Sequence, residues 1–236
     1  MRNSVPYLST TQAQVQVNAF VRGVYNWMAI GLGLTALTAF FVAGSETLLR
    51  LIFGNPLIFF GLIIGELALV WSLASRVHRM QAGTATNLFI LYAVLNGATL
   101  SAIFLRYTMA SIASTFVVCA ATFLAMSVYG WTTKKDLTSW GSFLFMGLIG
   151  IIIASLVNLF VQSSAMAMII SYVGVLVFVG LTAYDTQKIK AMAVSQPAGL
   201  DGAVIRKGAI LGALTLYLDF VNLFLMLLHI LGGNRD

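Results

Sequence analysis

Apolar runs of about 20 residues recur along the whole chain, separated by short polar or charged segments. A helix needs about that length to cross about 30 Å of hydrocarbon at 1.5 Å per residue, whereas barrel strands would alternate over about ten residues. The pattern predicts seven helical spans, near residues 24 to 44, 57 to 75, 84 to 105, 110 to 131, 141 to 162, 165 to 188 and 208 to 231. Breakers and charges collect between them, as in "GSETLLRLIFGNP", "SRVHRMQAGT", "TTKKDLTSWG" and "KIKAMAVSQPAGLDGAVIRK". Residues 1–23 read as a short N-terminal tail without the apolar core and cleavage site of a signal peptide, and 24–236 as one seven-helix domain.

Composition agrees with that reading. With 236 residues, 60% hydrophobic and only 8% charged, and a mean hydropathy of +0.95, no globular core could hide the apolar side chains. The chain is expected to be an all-α integral membrane protein. If loops alternate sides, one side carries Arg2, Arg22, Arg76, Arg79, Lys134, Lys135, Lys188, Lys190, Arg206 and Lys207, and the other only Arg50, Arg106 and Arg235. Positive residues favour the cytoplasmic side, so the N-terminus is expected there and the C-terminus outside. The high isoelectric point thus reflects topology, and no basic patch with interleaved aromatics suggests nucleic acid. Cys119, alone in the chain, reads as a small buried apolar residue, and His78 and His229 lack partners at metal-ligand spacing. Nucleotide, hydrolase and zinc-protease motifs are missing, so neither an enzyme nor a bound cofactor is expected.

The acids are the informative residues. Glu66, Asp185 and Asp219 fall inside spans, where an ionised carboxylate costs several kcal/mol and by default marks a functional site. On the last span Thr215, Asp219 and Asn222 share one face, and on the sixth Thr182 and Asp185 make a similar pair with Lys188 a turn beyond. Consecutive antiparallel helices could bring Asp185 and Asp219 together, although the predicted boundaries put them about 5 Å and about 17 Å from the cytoplasmic face. Desolvation and mutual repulsion disfavour the doubly charged pair, so it is expected to share a proton and to sense pH. Fully ionised, the two carboxylates would make a weak, transient Ca²⁺ site. Arg76, or else Arg79, could pair with ionised Asp185 and plug the route. Glycines at membrane depth, with Gly61 and Gly65 in small-x-x-x-small spacing, are expected at close helix contacts.

The strings "GLTAYDTQKIK" (180 to 190) and "LTLYLDFVNLFLMLL" (214 to 228) closely resemble the signature of the Bax inhibitor-1 family. The likeness extends through "KKDLTSWGSFLFMGLIGIIIASLVNLF" and the span-two acid of "GELALVWSLASR", over nearly the whole chain. It implies a seven-helix fold with the last helix central, and a pH-sensitive Ca²⁺ leak whose two-aspartate sensor maps onto Asp185 and Asp219. The family's latch arginine maps onto the end of span two, at Arg76 or Arg79. The resemblance also implies a bacterial inner-membrane protein and, as an alternative role, modulation of a partner such as a membrane-bound AAA protease. Intramembrane aspartyl proteases likewise pair two aspartates on consecutive helices. Their second aspartate needs a Gly-x-Gly-Asp setting, and "LYL" precedes Asp219 here.

Overall fold

A computed structural model describes residues 10–195 and 201–233, and Arg2, Arg235 and residues 1–9 of the expected tail lie outside them. The described residues form helices α1 (Thr10–Ala43), α2 (Glu46–Phe53), α3 (Pro56–Arg76), α4 (Ala82–Leu100), α5 (Ile103–Arg106), α6 (Met109–Thr132), α7 (Thr138–Val161), α8 (Ser164–Val194) and α9 (Gly202–Leu231). Seven stretches are long and apolar enough to cross a membrane, and they fall on the seven predicted spans. Their ends run further than predicted. Helix begins at Thr10, inside the segment read as a tail, α8 continues to Val194, and α9 starts at Gly202. The short α2 was hidden in a segment read only as a loop, while α5 continues the third predicted span beyond a break after Leu100. In α2, Arg50 pairs with Glu46, the one ion pair among the described residues.

By its contacts the chain divides into two compact units, Met1–Ala102 with Ile189–Thr215, and Ile103–Lys188 with Leu216–Asp236. In the first, α4 packs against both α1 and α3. Helices α1 and α4 touch backbone to backbone: a Cβ on Gly97 would stand 2.5 Å from the Thr35 carbonyl oxygen, and the Thr35 hydroxyl donates to the Ala93 carbonyl at 2.8 Å. Only a glycine lets two helices approach so closely. The starts of α2 and α3 are capped by Ser45 and Asn55, whose side chains accept from the backbone N–H groups of Leu48 and Leu57.

The second unit is built from α5 to α8 and the second half of α9. Its tightest contact is between α6 and α8, where a Cβ on Gly130 would lie 2.3 Å from the carbonyl oxygen of Ala183. Helix α7 presses on the same part of α8: Gly141 leaves room for the ring of Tyr184, which a Cβ would meet at 2.4 Å. Close approaches to backbone or ring occur at Gly97, Gly130 and Gly141, and of the glycines expected at membrane depth Gly147, Gly174 and Gly180 meet side chains at under 3 Å while Gly33 and Gly150 meet nothing within 4 Å. Around Gly61 and Gly65, where the small-residue spacing led one to expect a contact, there is nothing within 4 Å. Spacing marks a face that permits approach, but the neighbour must be there. Phe220 of α9 fills the core edge-on to Phe116 and Phe123 of α6, with ring centroids 5.5 Å and 5.4 Å apart.

Between α6 and α7, Asp136 accepts a hydrogen bond from the Thr138 N–H at 2.9 Å. The Thr138 side chain, and then its backbone N–H, hold the exposed Asp136 carboxyl below its ordinary 3.8. A carboxyl that is more acidic folded than unfolded stabilises the fold above the unfolded value and loses that contribution as pH falls through the folded one. Asp136→Ala is thus expected to lower the melting temperature slightly at pH 7, with the difference from wild type fading below about pH 4. A difference that persists undiminished at pH 2.5 would contradict this.

Candidate functional site

The last helix carries the site because it is the most enclosed. In its most apolar window 67% of residues are buried, against 33% or less in each of the other six spans. On that helix Asp219 is 5% exposed, and on α8 Asp185 is 7% exposed. Both belong to the second unit, and their carboxyls lie close enough to interact. Two ionised carboxylates are acceptors only, so a hydrogen bond between them would need a proton held there. The Asp219 oxygen Oδ2 has no hydrogen-bond partner among the described residues, and neither do the buried hydroxyls of Thr115 and Ser127 on α6.

Three features hold Asp185 in place. Gly130 admits the α6 backbone against Ala183, and Gly141 admits Tyr184 against α7, on the two residues that precede Asp185. Two residues beyond it, the Gln187 side chain accepts from the Leu137 N–H and donates to the Lys135 carbonyl, both at 2.9 Å. That amide fastens the α6–α7 loop to α8. Gln187 was passed over in the sequence because its partners are about 50 positions away. The α6 face could have been read, since Thr115, Cys119, Phe123, Ser127 and Gly130 recur every three to four residues and are all buried.

The expected depth mismatch between the two aspartates came from counting out of helix ends at 188 and 208. Extending α8 to Val194 and α9 back to Gly202 adds about 9 Å to both counts and leaves their difference unchanged, so equal distance from a helix end is not what brings the two side chains together. Antiparallel pairing continues along the unit, where Gly174 of α8 lies against Met226 of α9.

The expected supporting groups are placed differently. Thr182, Thr215 and Asn222 donate to carbonyls of their own helices, at Phe178, Leu211 and Leu218. Such back-bonds satisfy a polar side chain in an apolar setting without reaching a neighbour. Lys188 acts on Asp185 through its charge and lies 6.0 Å from the Tyr184 ring centroid. Glu66 has its own partners in the first unit: it accepts from the Thr99 hydroxyl at 3.0 Å and from the Asn96 amide at 3.4 Å. Arg76 and Arg79 are exposed at the end of α3 and in the turn after it, also in the first unit, so the expected latch is not a feature of the second unit's own packing. Cys119 is buried and its thiol points at the Phe220 carbonyl, 3.7 Å away. Among the described residues no group of three or more His, Cys, Asp or Glu side chains gathers that could hold a metal.

Seven membrane-crossing helices, the last two carrying a buried aspartate pair, define an all-α integral membrane protein. Comparison with known proteins agrees: residues 17–236 match the family described as "Inhibitor of apoptosis-promoting Bax1". The chain belongs to this family, the Bax inhibitor-1 family that its tyrosine-aspartate string resembles. It is 53% identical to the inner membrane protein YbhL of Escherichia coli, over 96% of this chain and 97% of that protein. Similar relatives are an uncharacterized protein of Borreliella burgdorferi, 46% identical over 93% of this chain and 94% of that one, and an uncharacterized membrane protein of Streptococcus pyogenes, 39% identical over 95% and 96%.

Proposed function

We propose that this protein resides in a bacterial inner membrane, as the name of its Escherichia coli relative suggests, and lets Ca²⁺ leak across it under the control of protons at Asp185 and Asp219. The observation that carries this reading is the buried aspartate pair with an Asp219 oxygen left unpartnered. A purely structural carboxyl at membrane depth is expected to satisfy its oxygens, since an unsatisfied buried acceptor costs about 1–3 kcal/mol. One left open suits a passing hard cation. When the pair holds its proton it offers a passing ion little negative charge. Loss of that proton creates a site for the ion. The charge asymmetry of the loops supports a cytoplasmic N-terminus.

The test is Ca²⁺ entry into dye-loaded liposomes over a pH series, with wild type, Asp185→Asn and Asp219→Asn. Wild-type flux is expected to saturate with Ca²⁺ and to change across the series, and each variant to abolish or displace that pH dependence. No flux above empty liposomes, with all three proteins folded, would sink the leak. The function would then be regulatory, acting on a partner such as a membrane-bound protease.

A further inference from the structure

At the end of the second unit where α7 gives way to α8, a cavity of about 550 Å³ is lined by polar groups. Arg106 and His229 face it together with Asn158, Gln162, Ser163 and Ser164. Among the described residues no acidic one lines it. Arg106 makes no ion pair among the described residues, its guanidinium lying 5.8 Å from the Tyr107 ring centroid. The first turn of the 31-residue α8 opens here: Gln162 adopts a left-handed conformation at φ 51, and the Ser163 hydroxyl caps the helix by accepting from the Met166 N–H. That turn presents the positive end of the helix dipole to the same space.

The cavity does not end there. Asn158, Ala167 and His229 also line a second space of about 270 Å³, and this one shares Ser155, Leu159 and Met226 with a third of about 290 Å³. The three adjoin through these shared residues as a trough whose lining changes from polar to apolar, reaching Ile152 and Leu156 on α7, Phe178 on α8 and Asn222 on α9. Leu159, Leu156 and Ile152 are each at least half exposed along it, so it is open at its side. From His229 to Asn222 it spans about 10 Å of helix.

A cationic, acid-free polar end continuous with an open apolar trough matches one kind of ligand in charge and in shape. We propose that this trough binds an anionic phospholipid, its phosphate held by Arg106, His229 and the start of α8, and one acyl chain lying along α7 and α9. Guanidinium-phosphate hydrogen bonds are charge-assisted and directional, which favours Arg106 as the anchor. This site is separate from the aspartate pair and does not depend on ion passage.

Native mass spectrometry of the purified protein with phosphatidylglycerol and phosphatidylcholine tests it. Wild type is expected to retain phosphatidylglycerol about tenfold over phosphatidylcholine, because both offer the phosphate but phosphatidylcholine adds a quaternary ammonium that Arg106 repels. Arg106→Gln and His229→Gln should each erase the preference, Leu159→Trp should lower retention by filling the trough, and Arg50→Gln, an exposed arginine elsewhere, should leave both unchanged. Equal retention of the two lipids by wild type would overturn the proposal, as would equal losses in Arg50→Gln and Arg106→Gln. Displacement of phosphatidylglycerol by millimolar inorganic phosphate would also overturn it, since the site would then be one for a free anion. If Arg106→Gln fails to fold, His229→Gln and Leu159→Trp decide in the same way.

Discussion

Asp185→Leu alone is expected to destabilise the protein by about 2 kcal/mol, and Asp219→Leu by a similar amount, while the double variant loses little more than nothing. Each single change leaves a buried carboxyl without its neighbouring carboxyl, and the full desolvation cost of that group is then uncompensated. Removing both removes the polar atoms altogether, and leucine is close enough in size to pack where they were. Replacing a whole buried polar pair by apolar residues is often neutral, whereas removing one partner is not. Unfolding in detergent gives the double-mutant cycle, with a coupling of about 4 kcal/mol expected, the sum of the two single losses less the double one. Losses that simply add would mean the carboxyls do not interact in the folded protein.

The second large effect turns on one methyl group. Gly130→Ala is expected to cost about 2–3 kcal/mol, because the new Cβ would stand 2.3 Å from a carbonyl oxygen and backbone on both sides leaves nothing flexible to yield. Gly150→Ala, on α7, meets nothing within 4 Å and is expected to stabilise by about 0.5–1 kcal/mol, the usual advantage of alanine over glycine within a helix. The two substitutions are chemically identical and of opposite sign. Because Ala183 is two residues from Asp185, Gly130→Ala should also disturb the pH dependence of Ca²⁺ flux, and Gly150→Ala should not. Equal melting temperatures for the two variants would contradict the close α6–α8 contact.

Much of this was legible in the chain. The spans were, because crossing hydrocarbon demands a length of apolar residues that a running reading detects. So was the aspartate pair, since a carboxyl is costly at that depth and its neighbours on consecutive helices are few. What stayed hidden depends on which helix lies beside which. Gly61 and Gly65 carried the spacing of a contact and have no neighbour, while Gly130 and Gly141, without that spacing, touch α8. Gln187 looked like an end-of-helix polar residue, and its clamp on Lys135 and Leu137 depends on a partner some 50 residues away. Thr182, Thr215 and Asn222 were correctly placed on faces, but a face does not say whether a hydroxyl turns to a neighbour or back to its own helix.

The enclosure of α9 has a consequence for how the protein is made. Of the seven crossing helices the one that is 67% buried comes last in chain order. A ribosome delivers the others first, at about 5–20 residues per second. Until Phe220 arrives, Phe116 and Phe123 of α6 lack the ring they pack against, and Asp185 waits without its neighbouring carboxyl on α9. The earlier helices must therefore be sheltered during biogenesis by lipid or by the insertion machinery, and assembly of the second unit is completed by the last segment to leave it.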